Sequence, residues 1–357
     1  MNYDNYVLHL QGAIKTYPSK VKKHLLKLLV DNGVAQAQEQ MSLDYEERVD
    51  VIDLELEEQL IKCLKESKSA VKLFEEWEFT KDYKYSTFFT TESFSDIVSK
   101  ASSKGTLLQS DDCEDSFIAE SVSNPTRYEV DDLIILKFCI KYSAIYNLSG
   151  EEVLTKYPVI IALHKAEELI EFRFDALKRL FLSEKRERTI YQETIKDLKA
   201  YCENNLECSI EPLDLDYIVS ETKDKTDVRQ MAQYMKLPSG GSAQLDVGKN
   251  EEYVLPIIGE LKEIIRDHVV ELERIPVLKE ALNQFIFENE ELSDYSWIEL
   301  MWENEIKTRN IRVKFIFNYM NNEYCLLQHY HSHVLIGMER MNIVVKYIRS
   351  IRPLKRD

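Results

Sequence analysis

The residues best suited to do chemistry in this chain form a short list. His329-Tyr330-His331-Ser332-His333 sets imidazoles at i, i+2 and i+4. On a strand those positions share one face, so His329, His331 and His333 would converge as ligands for a divalent metal such as zinc, copper, iron or nickel. No cysteine or carboxylate spaced nearby completes a ligand set. The plainer expectation is a solvated strand end whose charge responds to pH.

Asp246 followed by Glu260-Leu261-Lys262 has the order of charged groups used by metal-dependent nucleases. There, paired carboxylates hold magnesium and a lysine stabilises the nucleophile or the developing charge. That chemistry needs Glu260 and Lys262 on a strand, where i and i+2 share a face. Here Pro256 leads Ile257, Ile258, Leu261, Ile264 and Ile265 at helical spacing, and on a helix the two side chains diverge.

Gly241 to Asn250 fails as a phosphate-binding loop, because the glycine spacing is two residues too long and Asn250 stands where Ser or Thr would hold magnesium. No nucleophile elbow occurs, and His164 and His268 lie among apolar neighbours that predict packing. No catalytic signature is complete. The leading expectation is therefore a protein that acts by binding, as a subunit or adaptor of a larger assembly, with no cofactor. The alternative is a metal-dependent nuclease or hydrolase at Asp246, Glu260 and Lys262, or a metal site at the three histidines, with a divalent metal as its cofactor.

Charge points to where such a protein binds. The 357 residues hold 46 Lys+Arg against 63 Asp+Glu, a net charge of −17. Residues 39–58 carry nine acids and one base, and residues 111–132 carry eight acids and one base, so two segments account for −15 of the total. Both ends of the chain are basic. Lys20, Lys23 and Lys27 fall at i, i+3 and i+7 on one helical face, and Lys346, Arg349 and Arg352 follow at the other end with no acid among them. A local basic cluster can meet phosphate whatever the total charge, so nucleic acid or another anionic partner is expected at these six residues.

The elements that must position these groups follow from periodicity. Ser19 to Asn32 reads as a capped amphipathic helix ended by Gly33, and Ser42 to Glu66 as a longer one. Leu136, Phe138, Ile140 and Tyr142 alternate with Lys137, Cys139 and Lys141, a half-buried strand; Val159–Leu163 and Leu169–Phe174 continue it as an antiparallel meander. Helices are expected at 176–181, 189–204, 256–271, 277–289 and 338–351, and a β-hairpin at 312–330. Lys137, Lys141, Arg173, Arg312 and Lys314 all fall on polar sides of these strands; the plainer expectation is an ordinarily solvated sheet face, and the alternative is a shared cationic face able to meet phosphate or an acidic protein. Trp297 and Trp302 read as core.

The expected class is α+β: a helical N-terminal domain (1–98), an acidic Ser-rich linker or loop (99–127) and an α+β domain (128–357) with a C-terminal hairpin and helix. No run approaches the ~18 apolar residues of a membrane span, and the N-terminus lacks a basic, apolar leader. Six scattered cysteines without a CxxC predict reduced thiols. A cytoplasmic protein with protein partners, no membrane contact and room for homo-oligomers is the expectation. Its usage of Lys, Glu, Ile, Tyr and Asn with little Gly is that of AT-rich bacteria and their phages.

Overall fold

Tyr6, Leu10, Ala13 and Ile14 recur at helical spacing and all are buried, which makes Tyr3–Thr16 an amphipathic helix, α1. It heads an α+β chain seen in a computed structural model that describes residues 3–37, 48–107, 117–145, 150, 152–223, 225, 227–248, 254–304, 310–330 and 337–352. The chain forms two compact units: Met1–Lys81 with Phe89–Glu211, and Asp82–Phe88 with Pro212–Asp357. No helix among the described residues is long and apolar enough to cross a membrane.

In the first unit α2 (Ser19–Asp31) matches the expected helix, stopping where Asn32 bonds back to Leu28 O at 2.9 Å and Gly33 takes φ +71°. The expected helix from 42 to 66 is shorter. Val49 and Asp50 form β2 (Val49–Asp50), parallel to β1 (Ala35–Gln36), and α3 begins only at Leu56 (Leu56–Glu66). The physical reason is that Val49 and Val51 serve the core from extended backbone, held there by Gln59 Nε2 donating to Val51 O at 2.8 Å. Ser42, the expected cap, lies outside the described residues. Helix α4 (Lys68–Thr80) follows, capped by Ser67.

Next come β3 (Tyr85–Thr90), α5 (Phe94–Lys104), the short β4 (Thr106–Leu107) and β5 (Ile118–Ala119), and β6 (Thr126–Val130). Of the expected linker, residues 99–104 finish α5, and 108–116 lie outside the described residues. The meander is present: β7 (Leu133–Ile145), β8 (Glu152–His164) and β9 (Leu169–Phe174) pair antiparallel in order, with β6 beyond β7. The expected helix at 176–181 is only a 3-10 turn at Arg179–Phe181, and α6 (Glu184–Asn204) supplies the next long helix.

This sheet is buried on both faces rather than one. Phe138 meets Tyr201 of α6 at 4.6 Å, and Phe174 stacks on Tyr191 of α6. On the other face α1 comes so close to β8 that a Cβ on Gly12 would stand 1.5 Å from Leu154 O. Only a residue without a side chain permits that approach. Gly12→Ala is therefore expected to destabilise the unit by at least about 1–3 kcal/mol, read as a lower urea midpoint at unchanged slope. An unchanged midpoint would show that α1 does not sit on β8.

The second unit adds the start of β3 to β10 (Glu211–Pro212), α7 (Tyr217–Glu221), β11 (Val228–Lys236), β12 (Ser242–Asp246), α8 (Ile258–Asp267), α9 (Val269–Glu273), α10 (Pro276–Glu290), β13 (Asp294–Trp302), β14 (Ile311–Ile316), β15 (Leu326–Tyr330) and α11 (Glu339–Ile351). Its strands run antiparallel in the order β12-β11-β13-β14-β15-β3. The expected hairpin is β14–β15, with Arg312 opposite Tyr330. Ile298, Leu300, Val313, Phe315 and Leu327 are buried, and so are Met341, Val344, Val345 and Ile348 of α11.

Candidate interaction surface

The candidate cationic face divides between the two units. Lys137, Lys141 and Arg173 do share one face of the first sheet, because Lys137 and Arg173 both stand opposite Ile160 and Lys141 stands opposite Lys156. That face is covered, so Lys137 and Arg173 are fully buried and present no platform; Lys141 stays at the margin, paired with Glu120 at 2.8 Å. The polar alternation in β7 marks an internal charge layer.

Helix α4 answers that layer with two carboxylates. Lys137 Nζ lies 2.5 Å from Glu75 and 3.2 Å from Glu78; Lys156 Nζ lies 2.8 Å from Glu78 and also bonds Glu75. Lys156 donates to Tyr6 OH at 3.2 Å, and Lys137 stands 4.2 Å from the centre of the Phe79 ring. A second buried group joins Glu171 to Arg173 at 2.6 Å and to His164 at 2.9 Å, which confirms His164 as a packed residue. Glu75, Glu78 and Cys139 also bring three metal-capable atoms within 4.8 Å of one another, but the two ammonium groups already occupy those carboxylates. The four charges cancel, which is what such burial requires.

Burial alone would raise the Glu75 carboxyl, yet Lys137 and Lys156 outweigh it and hold it at about 2; burial likewise opposes Glu171, where Arg173 and His164 prevail and bring it to about 2. Burial would lower both lysines, but Glu75 and Glu78 raise them above the usual range. Carboxyls depressed below their unfolded value of roughly 4.3 stabilise the fold above that pH and lose the contribution as pH falls toward 2. The raised lysines contribute below their unfolded value of roughly 10.4 and lose it only as pH climbs past that value. Thermal midpoints by circular dichroism are expected to stay level from about pH 5 to 9 and fall steeply below about pH 4. A midpoint equal at pH 6 and pH 3 would contradict these pairings.

The six expected anion-binding residues also belong to separate units. On α2, Lys23 and Lys27 line an open cleft of about 260 Å³ with Arg48, and Lys27 also pairs with Asp31; Lys20 is half-buried. On α11, Lys346 and Arg349 are exposed and Arg352 is half-buried.

Glu260 and Lys262 lie on α8, as the spacing behind Pro256 requires. Glu260 accepts from Ile257 N at 3.2 Å at the head of that helix, and Lys262 pairs with Glu290 of α10 at 2.6 Å. Asp246 accepts from Gly248 N at 2.7 Å. His329 is buried with its Nε2 2.9 Å from Ser86 Oγ, while His331 and His333 lie outside the described residues. His268, expected to pack, is 63% exposed because α8 ends there and turns into α9. Trp302 is core, edge-on to Tyr347, whereas Trp297 is half-exposed on the open sheet face.

The feature that sequence reasoning missed is the state of α8 to α10. Of the 17 exposed large hydrophobic residues among those described, ten lie between Ile257 and Leu292. Pro276 starts α10, and Leu278, Ala281, Leu282, Phe285 and Ile286 recur along it at helical spacing, yet no residue of α10 is buried. Val277 is 83% exposed, Leu278 45% and Phe285 48%. The three helices are anchored by Ile258, which packs with Met235 and Leu245, and by Tyr295 OH donating to Glu290 O at 3.1 Å. An apolar stripe shows that a helix wants cover; whether the fold supplies it is written in the packing alone. Residues 257–292 also hold nine acids against four bases, so the segment that carries the apolar side chains is net negative.

Set beside known proteins, the chain matches no family model and no curated protein.

Proposed function

We propose that this protein acts by binding, as a subunit of a larger assembly, and that α8 to α10 form its docking face. The observation that supports the reading is the concentration of exposed apolar side chains on those helices, with α10 contributing none to the core. Large apolar side chains exposed in this number on one short segment point to an interaction site. The segment's net negative charge names the partner's chemistry: a protein that presents an apolar ridge flanked by Lys and Arg. Two copies of this face would bring like charges together, and an anionic membrane surface would repel it.

The test is a paired substitution, Leu278→Asp with Phe285→Asp, compared with the native chain in quantitative affinity capture and in light-scattering mass measurement. A partner retained by the native chain and lost by the variant supports the reading. A native chain that forms larger particles on its own, dispersed by the variant, would replace the basic partner by a second copy. Identical behaviour of the two chains in both measurements would overturn it.

A further inference from the structure

The second unit's sheet has one face turned inward and one open. On the open face β11 to β15 border a groove of about 610 Å³, a volume typical of ligand sites. Two aromatic side chains, Trp297 and Tyr330, line it. Trp297 of β13 stands opposite Tyr234 of β11 with planes 17° apart and centroids 6.4 Å apart, while Tyr330 of β15 lies two strands away and level with Met301, four residues along from Trp297.

Charges alternate with those rings. Arg312 pairs with Glu299 across β13 and β14 and also stands over Tyr330 at 5.5 Å; Lys84 lies over the same ring at 5.1 Å. Asp246 is engaged by its own loop at Gly248 N. Lys314 is different. Its ammonium rests 3.5 Å from the centre of the Trp297 ring, and among the described residues no carboxylate pairs with it. Glu299, the residue opposite it, is taken by Arg312. Partial burial lowers the Lys314 ammonium, the direction expected of a cation that lacks a counter-ion. The groove thus holds two separate rings, Trp297 and Tyr330, a cation that no described carboxylate pairs with, one carboxylate paired with Arg312, and Asp246 held by a backbone N–H.

We propose that this groove binds nucleotide units of a single-stranded nucleic acid, a phosphate drawing Lys314 off the Trp297 ring so that a base takes its place against the indole. A planar ring and an anion held a few ångströms apart are what one such unit offers, and stacking platforms interleaved with cations are how proteins take unpaired strands. A duplex hides its base faces, so it would gain nothing from these rings. A free mononucleotide has the same chemistry, and the test separates the two sources.

A fluorescently labelled 12-residue oligothymidylate is titrated with the full chain at 50 mM and 200 mM salt by anisotropy, with unlabelled thymidine monophosphate as competitor. Trp297→Ala is expected to weaken binding at least 5-fold, the lower end of what one stacked base contributes. Lys314→Ala is expected to weaken it and reduce the salt slope by about one, while Lys314→Arg keeps both. Competition by millimolar monophosphate identifies a single-nucleotide site with the same contacts; its failure identifies a strand that needs several units. Matching thermal midpoints keep these variants comparable with the native chain. The proposal is overturned if the oligomer does not bind at 50 mM salt, or if Trp297→Ala and Lys314→Ala bind as the native chain does while Lys23→Ala with Lys27→Ala loses binding.

Discussion

Replacing Glu75 by alanine is expected to cost about 3–5 kcal/mol of folding stability, the range for removing one member of a buried ion pair. The carboxylate is fully enclosed and serves both Lys137 and Lys156. Without it, two buried ammonium groups share Glu78 alone, and the layer between α4 and the sheet carries an uncompensated positive charge. Against a total stability on the order of 5–15 kcal/mol, that loss brings the unit close to unfolding at ordinary temperature. Chemical denaturation reads it directly. A loss under about 1 kcal/mol would mean that water reaches the lysines.

The paired variant Glu75→Ala with Lys156→Met should recover part of the loss, because it restores equal numbers of buried charges, and the double-mutant cycle measures the coupling. Replacing all four charges by apolar residues of similar size is expected to be neutral or stabilising, since desolvation offsets most of what buried pairs return.

Substituting aspartate at Leu278 and Phe285 is expected to leave folding within about 0.5 kcal/mol of the native chain, as exposed positions do. It is expected to weaken partner binding at least about 30-fold, the effect of losing one interfacial anchor worth 2 kcal/mol. Both side chains are close to half exposed in the isolated chain, so an unchanged thermal midpoint with abolished association separates docking from stability. A large drop in midpoint would instead place these residues in the core.

Much of the architecture was legible in the residues. Period-2 alternation located β7, the meander expected from it is β7–β8–β9, the hairpin expected at 312–330 is β14–β15, and Ser19 with Gly33 bounded α2. Those signals are local, and local backbone preference decides them. The proline-led spacing after Pro256 likewise put Glu260 and Lys262 on a helix and parted them. Where local signals served two outcomes, the reading failed. Val49 falls inside the expected Ser42–Glu66 helix and belongs instead to β2, paired with Ala35 of β1, and Tyr6, Leu10 and Ile14 mark a helix that the sequence reading did not single out.

By itself the sequence determined the α+β class, the order of most elements and which residues alternate across each strand. Tertiary structure alone decided what each alternating face meets. Lys137 and Lys314 carry the same pattern of polar residue between apolar neighbours, yet one is sealed under Glu75 and Glu78 and the other stands over Trp297 in an open groove. Leu25 of α2 and Leu278 of α10 are both apolar residues on helical stripes, yet the first is buried and the second is not. Periodicity fixes direction within an element; burial depends on which distant segment arrives to cover it, and that is a property of the packed chain.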